Sequence, residues 1–399
     1  MTSTKEQTSK TSLPKQILKT LYAPHKAFKE IIQNPRYLGP LLIMVLLVVA
    51  NVGYTYVATS KTYVEQTLPA GQPLDEWTEN ATLWTSNAAR SQSSDNINGT
   101  YYGNSSIAFT IMNGTEVTAE LDNIGPINCT GPDGFSLLSF RLKWTNPATN
   151  PINMTVQLFS SASSNHFDYA PTIGSLNLTY NIWNNLTDAD AIPLNTQLNW
   201  SSSGNADWAN ITGLKLDFVW NGNSNITLLV DGLFFHGPFK SLYESAGTLY
   251  MANFAIVAFM QFVFTWVLLT GIAYILTKAF GGKLVWKPLL ILIGFALITM
   301  FAQVIVNTAA YTTLGNIRYP FDLIGGVQGE GQAASDAIQS QTVIVSNVLR
   351  VMQLIVYAWT IALSAIAVRI VAEISWFKSA VVATIAYFVA LLAESFIIG

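Results

Sequence analysis

Long charge-free apolar runs alternate along this chain with one long stretch of a different period. Residues 245–277 carry no charge, and neither do residues 288–317. Between them lies a short basic turn with Lys278, Lys283 and Lys287. A helix needs about 20 apolar residues to cross a hydrocarbon core, so the pair predicts a membrane hairpin. The same criterion predicts five spans, over 38–58, 248–277, 288–313, 343–368 and 379–398. Ahead of the first, residues 13–35 predict two amphipathic cytoplasmic helices. Leu13, Ile17, Leu18, Leu21 and Tyr22 form one stripe; after Pro24, Ala27, Phe28, Ile31 and Ile32 form the next. Such helices lie in the membrane interface or pack on the ends of the bundle. Residues 1–12 read as a disordered cytoplasmic tail.

Residues 61–244 change to a period of two. Ile152, Met154, Val156 and Leu158 share one face, as do Leu214, Leu216, Phe218 and Trp220. Ile226, Leu228 and Val230 do the same until Gly232 interrupts, and Leu233 and Phe235 follow. Asn113-Gly114 between two alternating runs predicts a hairpin turn, and the slip at Leu138-Ser139 predicts a bulge. Short strands with turn clusters over this length predict an all-β sandwich. The fold class is therefore an α-helical polytopic bundle of five spans with an inserted all-β domain.

Charge sets the orientation. Residues 1–36 hold seven Lys/Arg against two Glu, whereas residues 61–244 hold six basic and sixteen acidic side chains. Short basic loops stay in the cytoplasm. This predicts a cytoplasmic N-terminus, with residues 61–244 and the C-terminus extracytoplasmic. No cleavable signal peptide is evident, since a basic, polar segment precedes the first apolar run. The single cysteine, Cys129, excludes an internal disulfide and reads as buried. The inserted stretch carries eleven Asn-x-Ser/Thr sequons, at Asn80, Asn98, Asn104, Asn113, Asn128, Asn153, Asn177, Asn185, Asn199, Asn210 and Asn225, and the rest of the chain none. Asn153, Asn177, Asn199 and Asn225 sit beside inward-facing residues and so point outward, where a glycan can be carried. Chance in an Asn-rich segment produces the same parity.

Signatures of catalysis are absent: His25, His166 and His236 fall in separate contexts, each a surface or turn residue, and no nucleophile elbow occurs. The basic residues show no nucleic-acid pattern. In residues 311–342 the run GGVQGEGQ lacks the strand and the Lys-Ser/Thr of a phosphate loop and reads as a flexible outer loop. Two charges fall inside spans, Arg350 and Glu394. Their depths match, which predicts an intramembrane ion pair between the fourth and fifth spans. Gln261, Gln303, Asn307, Gln353 and Asn51 read as interhelical hydrogen bonds, and Ala358, Ala362 and Ala365 as a face for close packing.

The helical part, over residues 13–60 and 245–399, resembles the Yip domain family of five-span membrane proteins. The matching features are Pro24 and Phe28 before the first span, Gly281 and Gly282 after the second, Trp359 in the fourth, and Lys378 with Ala380 beyond it. The family's eukaryotic GTPase-binding motifs are not evident. The insert is similar to carbohydrate-binding, galactose-binding-like jelly rolls, through DNINGTYYGNSSIAFTI and NITGLKLDFVWNGNSNITLLVDGLFF. That resemblance implies a structural calcium ion on Asp231 and a sugar platform among Trp77, Trp84, Trp183 and Trp208; no other cofactor is expected. The expected function is a non-enzymatic membrane scaffold or receptor, linked to membrane organisation or trafficking. Its partners are the lipid bilayer, a glycan or envelope protein outside, and a cytoplasmic protein, with no nucleic acid. The alternative is a small-solute or ion permease working through the bundle.

Overall fold

The computed structural model describes residues 12–71, 73–187, 190–195 and 199–397; the expected tail, apart from Ser12, lies outside the described residues. The chain begins with α1 (Leu13–Tyr22), α2 (Pro24–Gln33) and α3 (Leu38–Lys61). Next come β1 (Thr62–Leu68), α4 (Glu76–Glu79), β2 (Trp84–Ser86), β3 (Ala89–Ser93), β4 (Ser106–Ile127) and β5 (Leu137–Asn146). The strands continue with β6 (Asn153–Ser160), β7 (Ala162–Tyr169), β8 (Asn184–Leu186), β9 (Ile192–Pro193), β10 (Trp200–Ser203) and β11 (Ile211–Ser241). Then follow α5 (Leu242–Ala279), α6 (Trp286–Ala296), α7 (Ile298–Thr312), β12 (Ile317–Tyr319), α8 (Phe321–Ile324), α9 (Gln332–Ala372) and α10 (Trp376–Ile397). Two compact units result. One holds residues 1–62, 241–317 and 339–399; the other holds residues 63–240 and 318–338.

Among the described residues of the helical unit five helices are long and apolar enough to cross a membrane, with α6 and α7 forming one of them across a break at Leu297. Large apolar side chains such as Leu41, Val45, Val49, Ile256, Val351 and Leu354 stand exposed on them. Apolar helix surface on that scale fits lipid as the surrounding solvent. Of the expected alanine face of the fourth span, Ala365 is buried, whereas Ala358 and Ala362 are exposed. Glycines make a close contact elsewhere: a Cβ on Gly39 would meet Phe295 at 2.0 Å, and one on Gly294 would meet Pro40 at 2.6 Å. Small residues let α3 and α6 approach closely. Helices α1 and α2 turn Ile17, Ala27, Phe28 and Ile31 into the bundle core. Leu18 and Tyr22 are exposed on the other side, so only part of the expected stripe is packed.

The second unit is a twelve-stranded antiparallel sheet wrapped around one core. Its frame is the β4–β11 ribbon. The first half of β11 pairs with β4 on one side and β6 on the other, and the second half pairs with β4 and β5. The Asn113-Gly114 hairpin does not form. Instead β4 runs through it, with Asn113 at φ 54°, and β11 slips register opposite, between Val219 and Ser224, with Gly222 at φ 85°. Positive-φ residues serve here as a bulge that redirects a long ribbon rather than as a turn that ends one. The second bulge also moves. Asp231 and Phe234 of β11 face Arg141 and Ser139 of β5, so the extra residue sits at Gly232 and not at Leu138-Ser139. The inward residues are otherwise as the alternation predicts, except that Ile152 precedes β6 and is exposed.

The segment expected as a flexible outer loop is structured. Strand β12 pairs with β1, α8 follows, and α9 already begins at Gln332. Phe321 enters a small apolar cluster with Ile97, Tyr102 and Phe234. Residues 318–331 thus form a cap on the β unit, although 77 residues separate Lys240 from Arg318 in sequence.

Candidate functional site

Strand β5 shows how the sandwich builds its surface. Phe140, Leu142 and Trp144 point into the core, which leaves Arg141, Lys143 and Thr145 on the opposite face. Trp183, just ahead of β8, is half-buried on that face. Its indole N–H donates to Asp95 Oδ1 at 3.2 Å, and Lys143 Nζ reaches Asp95 Oδ2 at 2.6 Å. Nearby, the Tyr180 hydroxyl donates to the Thr145 carbonyl at 2.9 Å. The Trp183 indole is therefore held by an acid that a base also contacts.

The other tryptophans do not join it. Trp84 pairs opposite Leu121, so its side chain faces the core, where it is 0% exposed and bonds the Trp77 carbonyl at 2.8 Å. Trp77 is buried edge-on to Phe235. Neither offers a ring face to a sugar, which removes both from the expected platform. Trp208 is half-buried and stacks on Phe167 at 4.0 Å, with Trp200 edge-on at 5.2 Å and Tyr169 beside Trp200. That group closes the sandwich edge. Trp200 and Tyr169 carry no local sequence signal for this group, because only the β7–β10 register brings them together.

The sequon asparagines lie on the surface: ten of the eleven are exposed and Asn210 is intermediate. The amide nitrogens of Asn185 and Asn210 already bond Glu330 and Ser161.

Below the Trp183 face, the cap and the sheet meet around buried charges. Arg141, 1% exposed, reaches Glu330 Oε2 at 2.5 Å and the Tyr102 hydroxyl at 2.7 Å. Gly232, at φ 56°, makes room for it, since a Cβ there would meet Arg141 Nη1 at 2.6 Å. Asp231 accepts N–H bonds from Ile97 and Gly232, both at 2.7 Å, and a hydroxyl bond from Thr78 at 3.2 Å. Three of the roughly four acceptor sites of this carboxylate are thus taken up by protein donors. Among the described residues no group of three or more His, Cys, Asp or Glu comes together to hold a metal. This donor set does not fit the calcium ion implied for Asp231, because Ca²⁺ needs six or more oxygens turned toward it.

Burial pushes the Asp231 carboxyl up to about 7; the Ile97 N–H opposes this and nearby Asp75 adds to it. Burial likewise carries Asp75 up to about 6. A carboxyl raised in the fold binds a proton that the unfolded chain has already lost. Its contribution is therefore complete below about pH 4 and is lost as pH rises through 6 to 7. The expected result is a fall in unfolding free energy on the order of 3 kcal/mol between pH 4 and pH 8. Denaturant titrations of the full chain, read by tryptophan fluorescence, measure it. Asp231→Asn should flatten the profile, and a flat wild-type profile contradicts the assignment.

His236 is buried rather than a surface residue. Its Nε2 lies 2.6 Å from Ser139 Oγ and its Nδ1 3.1 Å from Glu65 Oε1. The order of partners is that of a hydrolytic triad. However, Ser139 lies within β5, 2% exposed and opposite Phe234, and Glu65 also accepts the Phe321 N–H at 2.7 Å. With no approach for a substrate, the chain of bonds ties β1, β5, β11 and the cap together. Cys129 is buried and free, and burial pushes its thiol up to about 12.

In the helical unit the expected Arg350–Glu394 pair does not form. Gln261 Nε2 donates to Glu394 Oε1 at 2.6 Å and Thr265 Oγ1 to Oε2 at 2.8 Å, both from α5. Arg350 is exposed on α9. It stands 19 residues from Arg369, about 28 Å along the helix. Glu394 stands 16 residues from Lys378, about 24 Å. The arginine thus stands nearly one helical turn further from its basic residue than the glutamate does from its own. Glu394 instead lines a cavity of about 390 Å³ with Gln261, Gln303, Gln353, Tyr357 and Tyr387. Asn307, one turn beyond Gln303, does not line it.

No protein-family model matches the chain, and comparison with curated proteins gives no match. Among solved structures, the chain is similar to the family 11 carbohydrate-binding module of cellulosomal cellulase Lic26A-Cel5E of Clostridium thermocellum. The identity is 16% over 43% of this chain and 94% of that one, with a TM-score of 0.28. For the family 30 module of cellulosomal cellulase Cel9D-Cel44B of Clostridium thermocellum the values are 12%, 40%, 91% and 0.27. For an exo-β-agarase they are 12%, 41%, 24% and 0.28.

Proposed function

We propose that this chain is a non-catalytic membrane receptor whose β-sandwich binds a glycan. The observation that carries the reading is the half-buried Trp183 ring held by Asp95 beside Lys143. Sugars present C–H faces that pack on an aromatic ring and hydroxyls that both donate and accept. A fixed indole beside a carboxylate and an ammonium, which can accept from and donate to hydroxyls, matches both. Five apolar helices supply the anchor. The proposal places the sandwich outside the membrane and the lysine-rich ends in the cytoplasm, on the positive-inside bias. Exposed sequons support the same side, with glycans attached there in an organism that makes them. The likeness of the helical part to Yip domain proteins supports a role in membrane organisation, with a cytoplasmic protein as second partner.

The test is a glycan screen with the purified full chain in detergent. Binding to at least one glycan class is expected, and Trp183→Ala should weaken it by about tenfold or more, the scale of a central aromatic anchor.

A further inference from the structure

We infer that the cavity around Glu394 binds an ammonium group, carried by a small organic amine or by a phospholipid headgroup. The inference does not depend on the glycan reading. Four helices bring polar side chains to one level. Gln261, Gln303, Gln353 and Glu394 each stand sixteen or seventeen residues from the basic residue near one end of their span, Lys278, Lys287, Arg369 and Lys378 in turn. At 1.5 Å per residue that is about 24–26 Å, close to one boundary of a hydrocarbon layer about 30 Å thick. Polar groups at that depth are costly in lipid unless they face one another or a ligand. Here they converge on a single cavity.

The carboxylate supplies the charge. Gln261 and Thr265 use one acceptor site on each oxygen of Glu394 and leave others open. No basic side chain is among the described residues lining the cavity, so charge balance calls for a cation from elsewhere. The walls favour an organic one. The Tyr357 and Tyr387 rings meet edge-on at 5.6 Å, and aromatic faces attract ammonium ions. Leu297, Met300, Val356 and Leu391 add apolar surface for a carbon skeleton. The volume of about 390 Å³ is that of a small-molecule site and far exceeds a bare metal ion.

The test uses the full chain in phospholipid-free detergent, titrated calorimetrically with choline chloride and ethanolamine hydrochloride, with sodium chloride as ionic control. Saturable binding of an amine but not of sodium is expected. Glu394→Gln should weaken it by about thirtyfold or more, the scale of an uncompensated charge, while Glu394→Asp retains binding. Met300→Trp, which fills the cavity and leaves the carboxylate intact, should abolish binding even if Glu394→Gln fails to fold. Repeating the choline titration in nanodiscs distinguishes the sources. Weaker apparent affinity in phosphatidylcholine than in phosphatidylglycerol identifies a headgroup ligand, and equal affinity identifies a free amine. Absence of amine binding, or binding unchanged in Glu394→Gln and Met300→Trp, overturns the site.

Discussion

Replacing Glu330 with alanine should cost the β unit about 3–5 kcal/mol, the penalty for leaving a buried charge without its partner. Arg141 is 1% exposed, and its ionic partner lies on the cap. With Glu330 gone, Tyr102 alone still meets the guanidinium among the groups that now bond it. Asn185 also loses its contact to the same carboxylate. Denaturant unfolding of the full chain, followed by tryptophan fluorescence, measures the loss. The double variant Arg141→Met, Glu330→Ala should recover part of it, because an apolar side chain needs no counter-charge. A single-variant loss below about 1 kcal/mol, the range of an exposed pair, would show that the cap does not depend on this contact.

Trp84→Ala should be comparably damaging, at about 3–5 kcal/mol for a large aromatic removed from a packed core. Trp84 projects from β2 into the sandwich core, edge-on to Phe109 at 5.6 Å, and its N–H donates to the Trp77 carbonyl. Trp183→Ala, which removes a half-buried ring packed against the Ile97, Tyr102, Phe234 and Phe321 cluster, should cost less, about 1–2 kcal/mol. The two variants therefore separate core from platform. If Trp84→Ala left stability intact and abolished glycan binding, its assignment to the core would be wrong.

Periodicity made most of the architecture legible. Apolar runs located the five long helices, and alternation located β6, the two halves of β11 and their inward residues. What it missed depended on partners distant in sequence. Asn113-Gly114 reads locally as a turn, but β11 pairs on both sides of it and draws β4 straight through. The glycine-rich run after the third span looks flexible until Arg141 and the Phe234 cluster supply a surface for Glu330 and Phe321. Tryptophan count signalled an aromatic domain but not which rings are covered, since a strand's inward face is set by its register. Arg350 and Glu394 looked matched in depth when counted from the ends of their spans. Counted from the basic residues, they differ by nearly one turn. Glu394 then finds Gln261 and Thr265, whose significance only helix packing reveals.

The central claim, a membrane-anchored sandwich that recognises a glycan through Trp183, is tested most directly by one measurement. The purified full chain and its Trp183→Ala variant are compared on the same glycan array, with a cooperative unfolding transition in each confirming that both are folded. The account predicts binding to a defined glycan class by the wild type, lost or weakened by about tenfold or more in the variant. Equal binding by both proteins, or no binding by a folded wild type, would contradict it.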